Sequence, residues 1–322
     1  MHHRTQEFSE LYSSVVEKAK EFSGASEVVV LTGSGTLANE SMLGSVDANK
    51  LLVCSNGVFG KRLYEISSLF HKTDLLEFKD GEGINYERVN NRIELNNYDA
   101  IALVENETST ACLNDVNSIA KDFSGKLFVD SVSVWPIGKI SCEDVSIMTS
   151  ATQKAIGIMP GLSFVLLSEQ GKGEVLNCKT KRSYYADLAR HITKYKEKKQ
   201  TLTTPAVTLL HSLAKSLNEI DKIGLDCFKK RHTKASAFVR KCLTERGFQL
   251  LAEKGFYSPT VTAFLCKDKQ QRDRIKQGLD KKGFQLAAGK GTHKDTGLRI
   301  ATMGFFEEEQ IKQALELIET LA

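Results

Sequence analysis

The sequence of 322 residues predicts an α/β protein: a mainly parallel sheet of seven strands with flanking helices, followed by a small C-terminal α/β domain. Three observations predict it. The length exceeds what one hydrophobic core comfortably serves. Short apolar runs alternate with stretches of helical periodicity through the first half of the chain, as parallel strands joined by crossover helices require. The residues just after those runs are also rich in Gly, Ser, Thr and charge, and open α/β sheets bind ligands beyond the carboxyl ends of their strands.

The elements follow in order. Phe8, Leu11, Tyr12, Val15, Val16 and Ala19 recur at helical spacing, and Gly24 ends the pattern, so the chain opens with an amphipathic helix over residues 5 to 22. Strands are expected at Val28 to Leu31, Leu51 to Cys54, Asp74 to Phe78, Ala100 to Val104, Leu127 to Val129 and Val145 to Met148. The run from Gly161 to Leu167 follows Lys154 too closely for a crossover helix, which predicts an antiparallel seventh strand. Residues 205 to 245 look helical. The remainder reads as strand, strand, helix, strand, strand, helix, with Phe248 to Leu251, Thr260 to Leu265, Leu298 to Ala301 and Ile311 to Leu321 as its clear pieces. Pro205 marks the expected boundary, giving domains at 1–204 and 205–322.

Composition narrows the class of function. Lys plus Arg number 44 against 40 Asp plus Glu, a surplus too small and dispersed for a nucleic-acid surface. The runs around Lys194 to Lys199 and Lys281-Lys282 read as solvated helix faces, so small-molecule partners are expected. The seven cysteines contain no C-x-x-C pair, which speaks against a disulfide framework or zinc ribbon and for a reducing compartment. The N-terminus has no apolar signal core and no run approaches a membrane span, so a cytoplasmic protein is expected.

Several residues carry chemistry by type and position. Gly33-Ser34-Gly35-Thr36 stands between a strand and a helix, where free N–H groups and two hydroxyls suit a phosphate; a plain strand-to-helix turn reads equally well. Asp130 directly follows a strand, and a carboxylate there needs a cationic partner such as a protonated pyridine nitrogen, or else caps a turn. Lys154 comes 24 residues later in a segment poor in charge. A sheltered lysine can lose its proton and form a Schiff base, although most lysines are solvated surface. Phe59 offers a flat face to a heterocycle, or fills core. Arg299 offers a planar fork to a substrate carboxylate, or is an ordinary surface charge. Phosphate loop, Asp and Lys, each at the end of a different strand, together point to pyridoxal 5'-phosphate.

Taken in order, the segments His3-Arg-Thr-Gln-Glu-Phe8, Leu31-Thr-Gly-Ser-Gly-Thr36, Asn56-Gly-Val-Phe-Gly60, Glu107-Thr-Ser-Thr110, Val129-Asp-Ser-Val132, Ser150-Ala-Thr-Gln-Lys154, Pro160-Gly161, Thr203-Thr-Pro205 and Leu298-Arg-Ile300 resemble the class V aminotransferases. These are fold type I pyridoxal-phosphate enzymes, and the likeness is strongest to the alanine:glyoxylate, serine:pyruvate and 2-aminoethylphosphonate:pyruvate group. The resemblance implies that Lys154 carries the cofactor, Asp130 pairs with its ring nitrogen and Phe59 stacks on the ring. It further implies that Ser34, Gly35, Thr36 and Gln153 hold the phosphate, with Thr203 reaching it from the partner of a homodimer, that Thr108 touches the ring hydroxyl side, and that Arg299 binds the substrate carboxylate.

The reaction so implied moves an amino group from a small amino acid of the alanine or serine type to a keto acid such as pyruvate or glyoxylate. A lyase or desulfurase of the same fold, or a binding protein that has lost catalysis, are the alternatives. The sequence departs from the family pattern where Thr36 stands in place of a frequent His and Gln200 in place of Tyr, and it lacks the Gly-Pro segment usual before the His-Arg. A phosphonate or phosphoserine donor would need an extra cation, for which Arg4 is the sequence candidate.

Overall fold

A computed structural model describes residues 2–322. The first helix, α1 (Gln6–Ser23), starts at Thr5, whose hydroxyl accepts from the N–H of Phe8, and ends on Gly24 in the left-handed conformation at φ 70°. The large sheet comprises β1 (Glu27–Thr32), β2 (Leu51–Ser55), β3 (Thr73–Glu77), β4 (Ala100–Val104), β5 (Lys126–Asp130), β6 (Ile147–Ala151) and β7 (Leu162–Leu167). Their order across the sheet is β1-β7-β6-β5-β4-β2-β3, and all neighbouring pairs are parallel except those of β7, which runs antiparallel to both β1 and β6. The expected seven-stranded sheet and its antiparallel member are therefore present.

Strand residues alternate between two cores, because successive side chains point to opposite faces. Val28 and Val30 of β1 join one face with Phe8, Tyr12 and Val16 of α1. Val29 and Leu31 join the other with Ala38 and Met42 of α2 (Gly35–Gly44) and Leu63 of α3 (Val58–Ser68). Continuous apolar runs in the sequence are the signature of strands buried on both sides in this way. The strand at Val145 to Met148 proves to lie at Ile147–Ala151, because its polar end is buried in the sheet rather than exposed in a loop.

Further helices α4 (Tyr86–Glu94), α5 (Val116–Asp122), α6 (Glu169–Asn177) and α7 (Leu188–Lys198) complete the crossovers and flanks. The helical stretch after Pro205 is two helices, α8 (Val207–Ile223) and α9 (Leu225–Glu245), split by Gly224 at φ 83°. Leu210, Leu213 and Leu217 of α8 pack in the same core as α1. A separate core forms around Val239, Phe264, Ile275, Leu298 and Ile318. It joins α9 to α10 (Lys269–Asp280), α11 (Glu308–Leu321) and a four-stranded antiparallel sheet of order β8-β9-β11-β10, made of β8 (Gln249–Leu250), β9 (Val261–Leu265), β10 (Ala287–Ala288) and β11 (Gly297–Ala301). Among the described residues no helix is long and apolar enough to cross a membrane, and no group of acidic, His and Cys side chains could hold a metal ion.

Candidate active site

The site lies where β1, β2, β4, β5 and β6 end. At the end of β1, Ser34 flanks the N-terminus of α2, and its hydroxyl makes no capping bond to the helix it precedes. The first-turn amides at that end have no intrahelical acceptor, so the turn presents donors with the positive end of the helix dipole behind them. Gly35 lets this turn sit close: a Cβ there would fall 2.7 Å from Cγ2 of Val132 and 3.4 Å from Cβ of Ala151. Gln153 is half-buried, and its Oε1 is buried without a hydrogen-bond partner. A buried acceptor of that kind is costly unless something else reaches it.

Asp130 is the last residue of β5 and only 6% exposed, which decides its character. Its carboxylate accepts from Nδ2 of Asn39 at 2.6 Å and from the N–H of Val132 at 2.9 Å. Asn39, on α2, in turn accepts from the hydroxyl of Thr149 on β6 at 2.6 Å, so a relay of three buried groups orients the carboxylate. Burial raises the Asp130 pKa against the pull of those donors and of Arg62 and Lys154. Two donors do not fully compensate the buried charge.

Lys154 follows β6, the strand next to β5 in the sheet, in a turn closed by the N–H of Gly157 donating to the Lys154 carbonyl at 3.0 Å. Gly157 and Gly304 meet so closely that a Cβ on either would fall 2.7 Å from the other's Cα, and both have positive φ, 77° and 68°. This contact presses the Lys154 turn against the C-terminal unit. The amine is half-buried, and burial, then the charges of Arg299 and Lys290, lower its pKa while Asp130 opposes them.

Glu107 organises the far side. Its carboxylate accepts from the N–H groups of Phe59 and Gly60, both at 2.9 Å, from the N–H of Ser109 at 3.0 Å, and from the Ser109 hydroxyl. A carboxylate is thereby set on the N-terminus of α3, where the dipole favours it. The result fixes Phe59, whose half-buried ring has Nζ of Lys290 at 4.6 Å and Cζ of Arg62 at 5.1 Å from its centroid. Arg299, on β11, donates through Nε to the Ala288 carbonyl at 3.1 Å and through Nη1 to the Thr108 carbonyl at 2.9 Å. Thr108 itself is buried.

The fold thus brings Ser34, Gly35, Thr36, Asp130, Gln153 and Lys154 to neighbouring strand ends, and sets Phe59, Thr108 and Arg299 across from them. Thr203 lies in the segment before α8, its carbonyl accepting from the Thr201 hydroxyl at 2.8 Å; among the described residues its side chain bonds to none of the others, while the N–H of Ala206, three residues on, donates to the Thr32 hydroxyl at the end of β1 at 3.1 Å. Arg4 is exposed in the turn before α1. Sequence reasoning missed Asn39, Glu107, Arg62 and Lys290. Glu107 was visible as the head of the polar segment Glu107-Thr-Ser-Thr110, three residues beyond a strand; nothing in the spacing marks the other three. Of the seven cysteines only Cys227 is exposed, in the first turn of α9, so none offers a mobile thiol at the site.

Residues 1–312 match the model of the class-V aminotransferase family. An uncharacterised aminotransferase of Methanocaldococcus jannaschii is 29% identical over 273 residues, covering 81% of this chain and 70% of that protein. A 2-aminoethylphosphonate–pyruvate transaminase of Bacillus cereus is 30% identical over 249 residues, 74% of this chain and 67% of its own length. Among solved structures, the subgroup IV aspartate aminotransferase of Thermus thermophilus superposes with a TM-score of 0.88 at 26% identity, covering 100% of this chain and 92% of that one. The alanine–glyoxylate aminotransferase of Nostoc sp. gives 0.92 at 23% identity, with 100% and 89% covered.

Proposed function

We propose a substrate class and a set of residue roles from the premise that this chain belongs to the class V aminotransferase family and has its fold type I architecture. It moves an amino group from a small amino acid of the alanine or serine type to a keto acid such as pyruvate or glyoxylate. Pyridoxal 5'-phosphate is the cofactor, and the protein works in the cytosol as a homodimer.

One observation carries this reading: a sheltered lysine with a depressed pKa stands beyond the strand next to the one ending in a buried, incompletely compensated carboxylate. The residues present fit the cofactor. The side-chain amide N–H2 of Gln153 and the uncapped turn at Ser34, Gly35 and Thr36 suit its phosphate end. Asp130 lacks the cation that a protonated ring nitrogen would provide, Phe59 would supply a face for the ring, and Thr108 would meet its hydroxyl side. Thr203 would complete the site of a second copy, as the family resemblance implies.

When bound, the cofactor supplies an electron sink for breaking the α-C–H bond and a carbon that takes up the amino group. The chain's residues do the rest. Lys154 Nζ, favoured in its neutral form, would take the proton from the substrate's α-carbon and, as the resulting ammonium, give it up to the carbon that has accepted the amino group. Arg299 holds the carboxylate of donor and acceptor alike, already aimed by its two carbonyl partners. Asp130, oriented by Asn39, would hold a proton on the ring nitrogen.

The test is an absorbance spectrum of the protein with added pyridoxal phosphate, followed through a panel of donors beginning with alanine and serine. A visible band that bleaches with a donor and returns with pyruvate or glyoxylate is expected. Absence of any band, with borohydride fixing no cofactor to Lys154, would overturn the assignment.

A further inference from the structure

Positive charge at the site exceeds what one carboxylate requires. Arg299, Lys290, Arg62 and Lys154 converge from β11, the loop after β10, α3 and the turn after β6. The acids around them are engaged elsewhere. Both oxygens of Glu107 are taken by the four donors of the Phe59, Gly60 and Ser109 brace. Asp130 is held by Asn39 and Val132, Glu77 pairs with Lys61 at 2.9 Å, and Asp80 accepts from the Thr292 hydroxyl at 2.6 Å.

Lys290 is not a drifting surface lysine. Its loop is pinned by the N–H of Gly289 donating to the Gly297 carbonyl at 2.8 Å, by the N–H of His293 donating to the Lys290 carbonyl at 3.1 Å, and by Thr292 on Asp80. Gly289 has to be glycine, since a Cβ there would lie 2.1 Å from the His293 carbonyl oxygen. Arg62 is one turn beyond Phe59 on α3, and the two cations approach the same ring. Burial, then Arg299 and Arg62, push the Lys290 pKa down, while Glu107 opposes them.

Arg299 is accounted for by the substrate's α-carboxylate and the α2 turn by the cofactor phosphate, which leaves Lys290 and Arg62 unassigned. We propose that Lys290 and Arg62 form a second anion site for the side chain of the amino donor. Resting on the transaminase reading above, it narrows the preferred donor to a serine-type amino acid whose side chain ends in a phosphate, phosphonate or carboxylate.

The experiment compares kcat/KM of the cofactor-loaded enzyme for phosphoserine against serine and aspartate against alanine, in wild type, Lys290→Met, Lys290→Arg and Arg62→Met. Calorimetric titration with succinate, 3-phosphonopropionate and propionate, which carry no amino group and cannot react, adds a readout of binding alone. Wild type should favour the acidic member of at least one pair by about tenfold or more, and Lys290→Met should cut that preference about 10- to 100-fold, as loss of a charge-assisted hydrogen bond does. Lys290→Arg should restore most of it, and the dianions should bind tighter than propionate only while the two cations are present. Whether phosphoserine or aspartate gains more, and which dianion binds tighter, separates a phosphorus-bearing tail from a carboxylate.

Equal preference in wild type, or a preference that survives both methionine variants, overturns the proposal. Should no donor turn over, the titration still decides: tighter dianion binding lost in Lys290→Met upholds the anion site while the transaminase reading fails. Dianions binding no tighter than propionate sink the anion site alone. Should Lys290→Met not fold, Arg62→Met carries the comparison.

Discussion

Replacing Asp130 by Asn removes a charge without changing volume, and its effect separates the apo protein from the cofactor-bound one. In the free protein the carboxylate accepts from Asn39 at 2.6 Å and Val132 at 2.9 Å. Asparagine retains one acceptor and turns an amide donor toward the other donor, a loss of about 1–3 kcal/mol. Against it, the substitution removes the burial penalty that holds the carboxyl pKa above its ordinary 3.8. The two effects oppose, so the thermal midpoint without cofactor should stay near that of wild type. With cofactor, a charge-assisted hydrogen bond of about 1.5–3 kcal/mol is lost, weakening binding about 10- to 100-fold. At a cofactor concentration about a hundred times the wild-type Kd, the stabilisation of about 2.7 kcal/mol then falls toward about 0.4 kcal/mol for the hundredfold case. Thermal unfolding with and without pyridoxal phosphate measures both. A cofactor-induced rise as large in Asp130→Asn as in wild type would refute the assignment of Asp130 to the ring nitrogen. The pH dependence has a definite sign: a folded pKa above the unfolded one means the contribution is fully present below 3.8 and lost as pH rises through the folded value, a slope Asp130→Asn should lack.

Lys154→Ala should abolish turnover and keep the fold, by circular dichroism; near-normal turnover would sink the catalytic assignment. Because the folded Lys154 pKa lies below 10.5, wild type should gain stability relative to Lys154→Ala as pH rises from that depressed value toward 10.5, measured in the apo protein. Arg299→Lys keeps the charge and loses the fork that spans the Ala288 and Thr108 carbonyls, so KM for the keto acid should rise about 10- to 100-fold while kcat changes less. Glu107→Gln leaves one buried donor of the α3 brace facing another donor and removes a charge from a helix N-terminus, which should destabilise the protein by about 1–3 kcal/mol in thermal or urea unfolding.

The sheet was legible because strands buried on both faces write continuous apolar runs, and the first helix because Gly24 ends its stripe at a left-handed turn. Strand ends were less so. Thr149 and Ser150 look like loop in the sequence, yet both are buried in β6, where Thr149 meets Asn39. Gly224 split a helix that periodicity alone reads as continuous. At the site, Asp130 stood out because it directly follows the apolar run Leu127 to Val129, and Lys154 because it lies in a charge-poor segment beyond the next run. Asn39, Glu107, Arg62 and Lys290 act through neighbours distant in sequence, and Lys290 is 228 residues from Arg62. Only the packing of β11 and its loop against α3 brings those two to one ring.

The two carbonyls that hold Arg299 bear on how quickly and selectively a substrate is captured. Ordering a free arginine side chain consumes up to about 2 kcal/mol of rotamer entropy. Here Ala288 and Thr108 have immobilised the guanidinium during folding, so in the role proposed for Arg299 a carboxylate arriving at Nη2 would find its partner already aimed. The same rigidity sets a fixed direction of approach, and an acid unable to present its carboxylate along that line loses the benefit, however strong its charge.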